Sequence, residues 1–390
     1  MHFIEKLSFF RANNITTLLL DLMKYLKLLF VLSIISLFGI TLQARQLTIQ
    51  SSEEHSGNSA QQFPLDDGLL DIDRGYYSIE EEGILNPESW SISYGGKKVS
   101  FLENRDGSVF YSTILSSGEK SAEANLEFFD TQDETMKVYA FDDGRAVTRD
   151  NVANFTFYAP DGDVLFSQSN SSQSTDGERE SQLASDAEGQ TVVLYNPIIS
   201  FGNTRGSQAR VIFNENDSDR FFNSQSTEIK DLKVSENGSF ITILTSDNDV
   251  YLFDRFGNEL NQLSFDDNQI GLNLSEDAEF LTVYSSGRVQ VLNALSGERL
   301  GSTSSRSPVI YATYQPEDDT ILIFGGDIQG DQIDDPMITA VSISQRQILR
   351  EEINMPIALH DLKKLRVTRT GSNQFRINGL NRSLLVQASF

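Results

Sequence analysis

The sequence contains no cysteine. That removes disulfides, thiolate nucleophiles, zinc–thiolate sites and a cysteine-linked lipid anchor together. Histidine is nearly as scarce, with only His2, His55 and His360, and Trp90 is the only tryptophan. Positive charge is also short. Lys and Arg number 31 against 56 Asp and Glu, for a net charge of −25 over 390 residues. A phosphate backbone needs a basic patch that this balance does not supply, so nucleic acid is excluded as a partner. Anionic membrane surfaces are disfavoured for the same reason. A cation or a basic partner suits the charge. Beyond residue 44 there is no helical periodicity and no apolar run long enough to span a membrane. A chain of this length can bury a core large enough to need neither disulfides nor metals for stability.

The one long apolar run lies near the start. Met23-Lys24-Tyr25-Leu26-Lys27 leads into an apolar stretch from Leu28 to Ile40, followed by small and polar residues up to Ala44. A short basic start, an apolar stretch and a small-residue end form the pattern of a secretory signal. The stretch is shorter than the ~20 residues a spanning helix needs. The pattern therefore predicts a signal region over residues 1–44, with the working start at Met23 and cleavage after Ala44. A secreted chain of this size without cysteine fits a bacterial extracytoplasmic setting, periplasmic or secreted. Residues 45–74 are rich in Ser, Gln, Glu and Asp and are expected to form a flexible polar linker. The propeller domain predicted below would occupy residues 75–390.

The stretch from Ile229 to Ser304 writes one unit twice. Leu232, Val234, Ser235, Asn237, Phe240, Ile241 and Ile243 recur as Leu272, Leu274, Ser275, Asp277, Phe280, Leu281 and Val283, a period of 40. A third copy keeps the step, with Ala312, Tyr314, Glu317, Asp318, Ile321 and Ile323. Short alternating apolar runs such as Val250-Tyr251-Leu252-Phe253 and Val289-Gln290-Val291-Leu292 read as strands. Glycine-bearing tight turns recur at Gly118, Gly162, Gly206, Gly257 and Gly297, and turns without glycine are expected near Gln345 and Asn381. Each unit has room for four short strands. The expected fold is all-β, a propeller most consistent with seven four-stranded blades; six or eight would also fit the length. A strand over Tyr76–Ile79 is expected to close the ring on the C-terminal blade.

Ser235-Glu236-Asn237-Gly238-Ser239-Phe240 resembles the turn that opens the second strand of a blade in WD40-like repeats. Over residues 75–390 the repeats are similar to the broad superfamily of WD40-like and quinoprotein-like propellers. The Gly-His and Trp-Asp pairs of true WD40 repeats do not occur, and Trp90 alone cannot make tryptophan docking motifs. There is no Ser-x-Asp-x-Gly-x-Thr-Trp box, and the double glycine of kelch repeats does not recur. The resemblance implies the fold and carries over no catalytic or binding residue.

Four carboxylates crowd the stretch Gly325–Pro336, namely Asp327, Asp331, Asp334 and Asp335. As a glycine-bearing loop between two strands it could offer oxygen ligands to Ca²⁺, although the spacing is not that of an EF-hand. Asp66, Asp67, Asp71 and Asp73 form a similar cluster in the expected linker, where solvation explains them. His360 is expected on an inner strand of the last blade, beside Asp361 in sequence but with its side chain on the other face. Without a Gly-x-Ser-x-Gly elbow it reads as a hydrogen-bonded structural histidine. Arg145, Arg149 and Asp150 read as exposed edge-strand charges, which discourage edge pairing. The sequence thus points to a non-catalytic binding or scaffold module, with a protein, a small molecule or a glycan as ligand. The alternative is a hydrolase or lyase that uses acidic channel residues, assisted by Ca²⁺.

Overall fold

A computed structural model describes residues 45–51, 62–65, 68–71, 75–78, 90–93, 98–105, 108–115, 120–126, 137–150, 154–169, 181–201, 204–330, 332–355, 357–358, 365–378, 380 and 384–390. Residues 46–388 and Phe390 form one unit, described below. The expected signal region, residues 1–44, lies outside the described residues. No helix among the described residues is long and apolar enough to cross a membrane.

Seven four-stranded antiparallel sheets follow one another along the chain. Blade one is built from Trp90–Ile92, Lys98–Arg105, Ser108–Leu115 and Lys120–Leu126, and blade two from Lys137–Ala140, Ala146–Arg149, Asn154–Tyr158 and Val164–Ser169. Blade three uses Gln182–Ser185, Val192–Phe201, Thr204–Asn214 and Asp217–Ser224, and blade four Ile229–Val234, Phe240–Thr245, Asp249–Asp254 and Glu259–Ser264. Blade five uses Gln269–Leu274, Phe280–Ser285, Arg288–Asn293 and Arg299–Ser304, and blade six Val309–Gln315, Thr320–Gln329, Gln332–Ser342 and Gln347–Glu352. Blade seven takes Arg366–Gly371, Gln374–Asn378 and Leu384–Ser389 from the C-terminus, and its outer strand is Gln46–Ser51. The fold is therefore a seven-bladed β-propeller.

Blades two to six are apolar on both faces because each is covered on both sides. In blade three, Val192 and Leu194 pack with Phe155 and Phe157 of blade two, while Val193 and Tyr195 pack with Ile241 and Ile243 of blade four. Alternation by side-chain parity sends successive residues to opposite neighbours. Six such clusters fill the interfaces from blade one to blade seven in turn. The three copies seen in sequence keep their register: Leu232 pairs with Ile243, Leu272 with Val283 and Ala312 with Ile323. All six side chains are buried.

The same repeat builds the same turn. Between the inner and second strands of blade four, Ser235 Oγ donates to Asn237 Oδ1 at 2.8 Å and accepts from Phe240 N at 3.0 Å. In blade five, Ser275 Oγ donates to Asp277 Oδ1 at 2.6 Å and accepts from Phe280 N at 3.0 Å. Both turns need a left-handed residue at the same place. Gly238 supplies it at φ 67° and Ala278 at φ 59°. In the third copy a short 3-10 turn, Pro316–Asp318, intervenes and Asp319 takes φ 49° instead. Such Asx-type side-chain bonds to the backbone explain why Ser, Asn and Asp mark these turns.

Several expectations are corrected. The ring is closed by Gln46–Ser51, inside the stretch expected to be a linker, and not by Tyr76–Ile79. Leu47 is buried in the core between blades six and seven, with Ile49 packed against it. Two apolar residues in six make a weak pattern, and the edge of Leu384–Ser389 supplies what the segment lacks alone. Gln62–Leu65, Gly68–Asp71 and Gly75–Ser78 form a separate three-stranded antiparallel meander. Gly206 is not in a turn: it lies within the third strand of blade three, whose turn to the outer strand falls at Glu215 and Asn216. Asn381 lies outside the described residues, and the connection that contains it joins the second and third strands of blade seven, because the N-terminus supplies the fourth.

Candidate functional site: the channel and its acidic mouth

The inner strands of all seven blades line one cavity of about 310 Å³, from Ser91 in blade one to Arg366 in blade seven. It is the central channel, and it also takes in residues that follow the inner strands, such as Ala187, Glu236 and Glu276. It therefore reaches the face that carries the turns from inner to second strand. Its charged lining is mixed: Asp186, Asp231, Glu236 and Glu276 with Lys233, Arg366 and Arg369.

The channel carboxylates for which bonds are defined hold the frame. Asp186 is almost fully buried and its Oδ1 accepts from Thr191 N at 2.7 Å. Burial pushes its carboxyl above the usual range, and the backbone N–H groups of its turn counteract part of that. Thr191 Oγ1 donates in turn to the Gly238 carbonyl of blade four at 2.8 Å. Asp231 pairs with Lys233 at 3.5 Å and accepts from Leu272 N of blade five at 3.3 Å. Asn273 donates to the Ala312 carbonyl of blade six at 2.7 Å. Polar side chains on inner strands thus stitch neighbouring blades together. Arg369 of blade seven grips Asp318 of blade six, Nε to Oδ2 at 2.6 Å and a second nitrogen to Oδ1 at 3.3 Å.

Two buried phenols complete this region. Tyr284 covers Gly271, where a Cβ would lie 2.4 Å from the phenolic oxygen. Burial raises the Tyr284 pKa well above its ordinary value, and Asp231 and Tyr311 add to the rise. Burial raises Tyr311 to about 12, despite the opposing pull of Arg366. A phenol whose folded pKa exceeds its unfolded value of 10 supports the fold fully below pH 10. That support is lost as pH rises toward 12. Tyr311→Phe should therefore move the midpoint of alkaline unfolding upward, measured by circular dichroism from pH 9 to 12.5 (roughly the window set by the two pKa values). An unchanged midpoint would show that this phenol ionises as readily in the folded chain as in the unfolded one.

A ring of acidic turns follows the inner strands of blades two to six and includes Asp143, Glu188, Glu236, Glu276 and Glu317. All are exposed except Glu236, which is half-buried. The repeat places them there, since each sits in the turn after an inner strand. Arg145 pairs with Asp143 at 2.5 Å, so part of the ring is neutralised locally. The turns from third to outer strand leave the same face and expose Phe256 and Leu295, each at 58%.

The residues singled out in sequence lie elsewhere. The segment of blade six that holds the four aspartates is a hairpin extension and not an open loop. Thr320–Gln329 and Gln332–Ser342 stay paired to their ends, with Asp327 opposite Asp334. Ile357–Ala358 adds a fifth strand to that extension, so this stretch is not an inner strand of blade seven. Asp327, Asp334 and Asp335 are exposed, and Asp331 lies outside the described residues. Among the described residues no three His, Cys, Asp or Glu come together as a metal site. His55, His360 and Asp361 lie outside the described residues, as do Asp66, Asp67 and Asp73. Arg149 is buried, at 1% exposure, on the second strand of blade two, so the reading of exposed edge charges fails for it. Asp150 accepts from the Asn154 backbone and side chain, both at 2.8 Å. Sequence reasoning missed the mouth carboxylates, although Glu236 and Glu276 stand one period of 40 apart.

No family model matches the chain, and no curated protein matches it. Among solved structures it is similar to BamB from Moraxella catarrhalis, with a TM-score of 0.49 and 15% identity over 88% of this chain and 99% of that one. A chain of a mitotic checkpoint complex gives a TM-score of 0.46 and 12% identity over 77% of this chain and 90% of that one. Raptor from Chaetomium thermophilum gives 0.48 and 10% over 78% of this chain and 28% of that one. Likeness at this level of identity concerns the fold alone. Its seven blades of four antiparallel strands around a channel make the chain a β-propeller.

Proposed function

We propose that this propeller is an extracytoplasmic, non-catalytic binding module whose turn-bearing face receives a basic protein partner. The observation that carries the reading is the distribution of carboxylates. Asp186 and Asp231 in the channel hold backbone N–H groups or a lysine, whereas the turns at the mouth of blades two to six carry exposed carboxylates such as Glu188, Glu276 and Glu317. A rigid frame that presents loops is a common basis for recognition. An acidic rim steers a basic partner, and apolar side chains on the same face, Phe256 and Leu295, supply contact area. The N-terminal signal pattern supports the extracytoplasmic setting.

The test is capture of native partners on the immobilised chain, compared with a variant carrying Asp143→Asn, Glu188→Gln, Glu276→Gln and Glu317→Gln. The partners retained should be basic, should elute with salt, and should be retained about tenfold less by the variant. Equal retention by both proteins would remove the mouth as the interaction face.

A further inference from the structure

The circumference between blades three and four is indented by a groove of about 440 Å³, lined by Phe221, Phe222, Thr227, Tyr251, Phe253 and Glu259 among others. In a regular strand, adjacent residues such as Phe221 and Phe222 would point to opposite faces of the blade. A bulge prevents that. Ala209 pairs with Phe222 while Arg210 pairs with Arg220, so Phe221 is the extra residue. Two residues then oppose one, and both rings turn toward blade four. They pack against the core that holds Phe253 and Tyr251. Phe221 meets Phe253 edge-on at 4.8 Å, and Phe222 meets Tyr251 edge-on at 5.8 Å. Phe221, Phe222 and Tyr251 remain half-buried, so aromatic surface is left facing the groove.

Carboxylates border these rings. Glu259 is exposed in the groove lining. Asp249 lies beside Tyr251: Gln262 Nε2 donates to Asp249 Oδ2 at 3.3 Å and to the Tyr251 hydroxyl at 3.1 Å. Thr227 Oγ1, also in the lining, donates to Asp247 Oδ2 at 3.0 Å. Burial first, then the charges of Asp249, Glu259 and Asp247, raise the Tyr251 phenol pKa. None of the ion pairs among the described residues involves Glu259, Asp247 or Asp249. The nearby Lys230 ammonium is held by Asn248, Asn268 and the Gln269 carbonyl, and is also attracted by Asp247.

Aromatic faces attract a cation through their negative quadrupole, and adjacent carboxylates add to the attraction. We propose that this groove binds the cationic side chain of an arginine or lysine presented by a basic peptide segment of a partner protein. Charge complementarity selects that occupant over a neutral one such as a glycan. The groove lies on the circumference, apart from the channel mouth, so the inference stands whether or not the mouth is a partner face.

The experiment is fluorescence anisotropy of a labelled peptide, Gly-Ser-Arg-Gly-Arg-Ser-Gly, titrated with the full chain at about 0.15 M salt. The citrulline counterpart keeps the planar shape but lacks the charge and exchanges one terminal NH2 donor for a carbonyl acceptor, and should bind roughly tenfold more weakly. Glu259→Gln and Tyr251→Leu should each weaken the arginine peptide about fivefold. Glu351→Gln makes the same change in net charge on blade six and should leave binding unchanged. Equal binding of the citrulline peptide would overturn the proposal, as would equal losses in Glu259→Gln and Glu351→Gln. Binding of cellohexaose without binding of the arginine peptide would assign the groove to a glycan instead. Where Tyr251→Leu fails to fold, the exposed Glu259 variant decides. The four-site mouth variant should retain peptide binding, which separates this site from the proposed partner face.

Discussion

A chain that begins at residue 52 is expected to lose its cooperative fold. Residues 46–51 are the outer strand of blade seven, and they tie the start of the domain to its end. Their removal exposes the core position filled by Leu47, at 3% exposure, and the contact made by Ile49. Burying a leucine contributes about 2 kcal/mol, and each lost backbone hydrogen bond on Leu384–Ser389 removes roughly 1 kcal/mol more. The total rivals the ~5–15 kcal/mol that holds a typical domain together. The bared edge would also invite pairing between chains. Leu47→Asp tests the same strand without deleting it, and should cost about 4 kcal/mol because a carboxylate would be buried without a partner. Urea unfolding followed by circular dichroism measures both. Restoration of the truncated chain by a peptide of residues 45–52 would show that the strand acts by pairing. A truncated chain that unfolds like the full one would mean that blade seven is stable with three strands.

Gly206→Ala is expected to destabilise the protein by about 3 kcal/mol, a large effect for one methyl group. A Cβ there would lie 1.9 Å from the Ser224 carbonyl oxygen and 2.8 Å from two backbone atoms of Gln225. No rotamer change relieves a clash with backbone, so the third and outer strands of blade three would have to separate. The next residue makes the separation costly. Ser207 Oγ donates to the Pro197 carbonyl and accepts from Ile229 N at 2.8 Å, which fastens blade three to the inner strand of blade four. Hydrogen exchange at Ile229 N should therefore quicken in the variant. Gly287→Ala is the matched control: nothing lies within 4 Å of its added Cβ, and its midpoint in urea should stay put. Equal stability of the two variants would refute the close approach at Gly206.

Where local chemistry dictates local structure, the sequence was readable. Ser235, Asn237 and Gly238 announce a turn because their side chains and backbone make that turn directly. Ser275, Asp277 and Ala278 make the same turn 40 residues on, which carries the period, and the period carries the blade. The buried positions follow from parity, so Leu232, Leu272 and Ala312 were identifiable as equivalents before their neighbours were known. Features that depend on a distant partner were misread. Gly206 looks like Gly162 or Gly257 in sequence, yet it is conditioned by the carbonyl of Ser224 and not by a turn. Arg149 looked like a solvated edge charge, yet its strand is paired on both sides and its side chain is buried.

By itself, then, the sequence determined the class of fold, the four-strand unit, its repetition and the acidic turns, because each is set by contacts within about one period. Only the tertiary structure decided which strand closes the ring, since Gln46–Ser51 acquires its role from an edge more than 330 residues away in the chain. It alone decided the bulge at Phe221, because that shift is a relation between two paired strands and not a property of either. It also decided that the channel carboxylates Asp186 and Asp231 support the frame while those at the mouth face outward. Asp231 reaches the Leu272 N–H of the next blade, whereas the exposed Asp143 bonds Arg145 within its own turn.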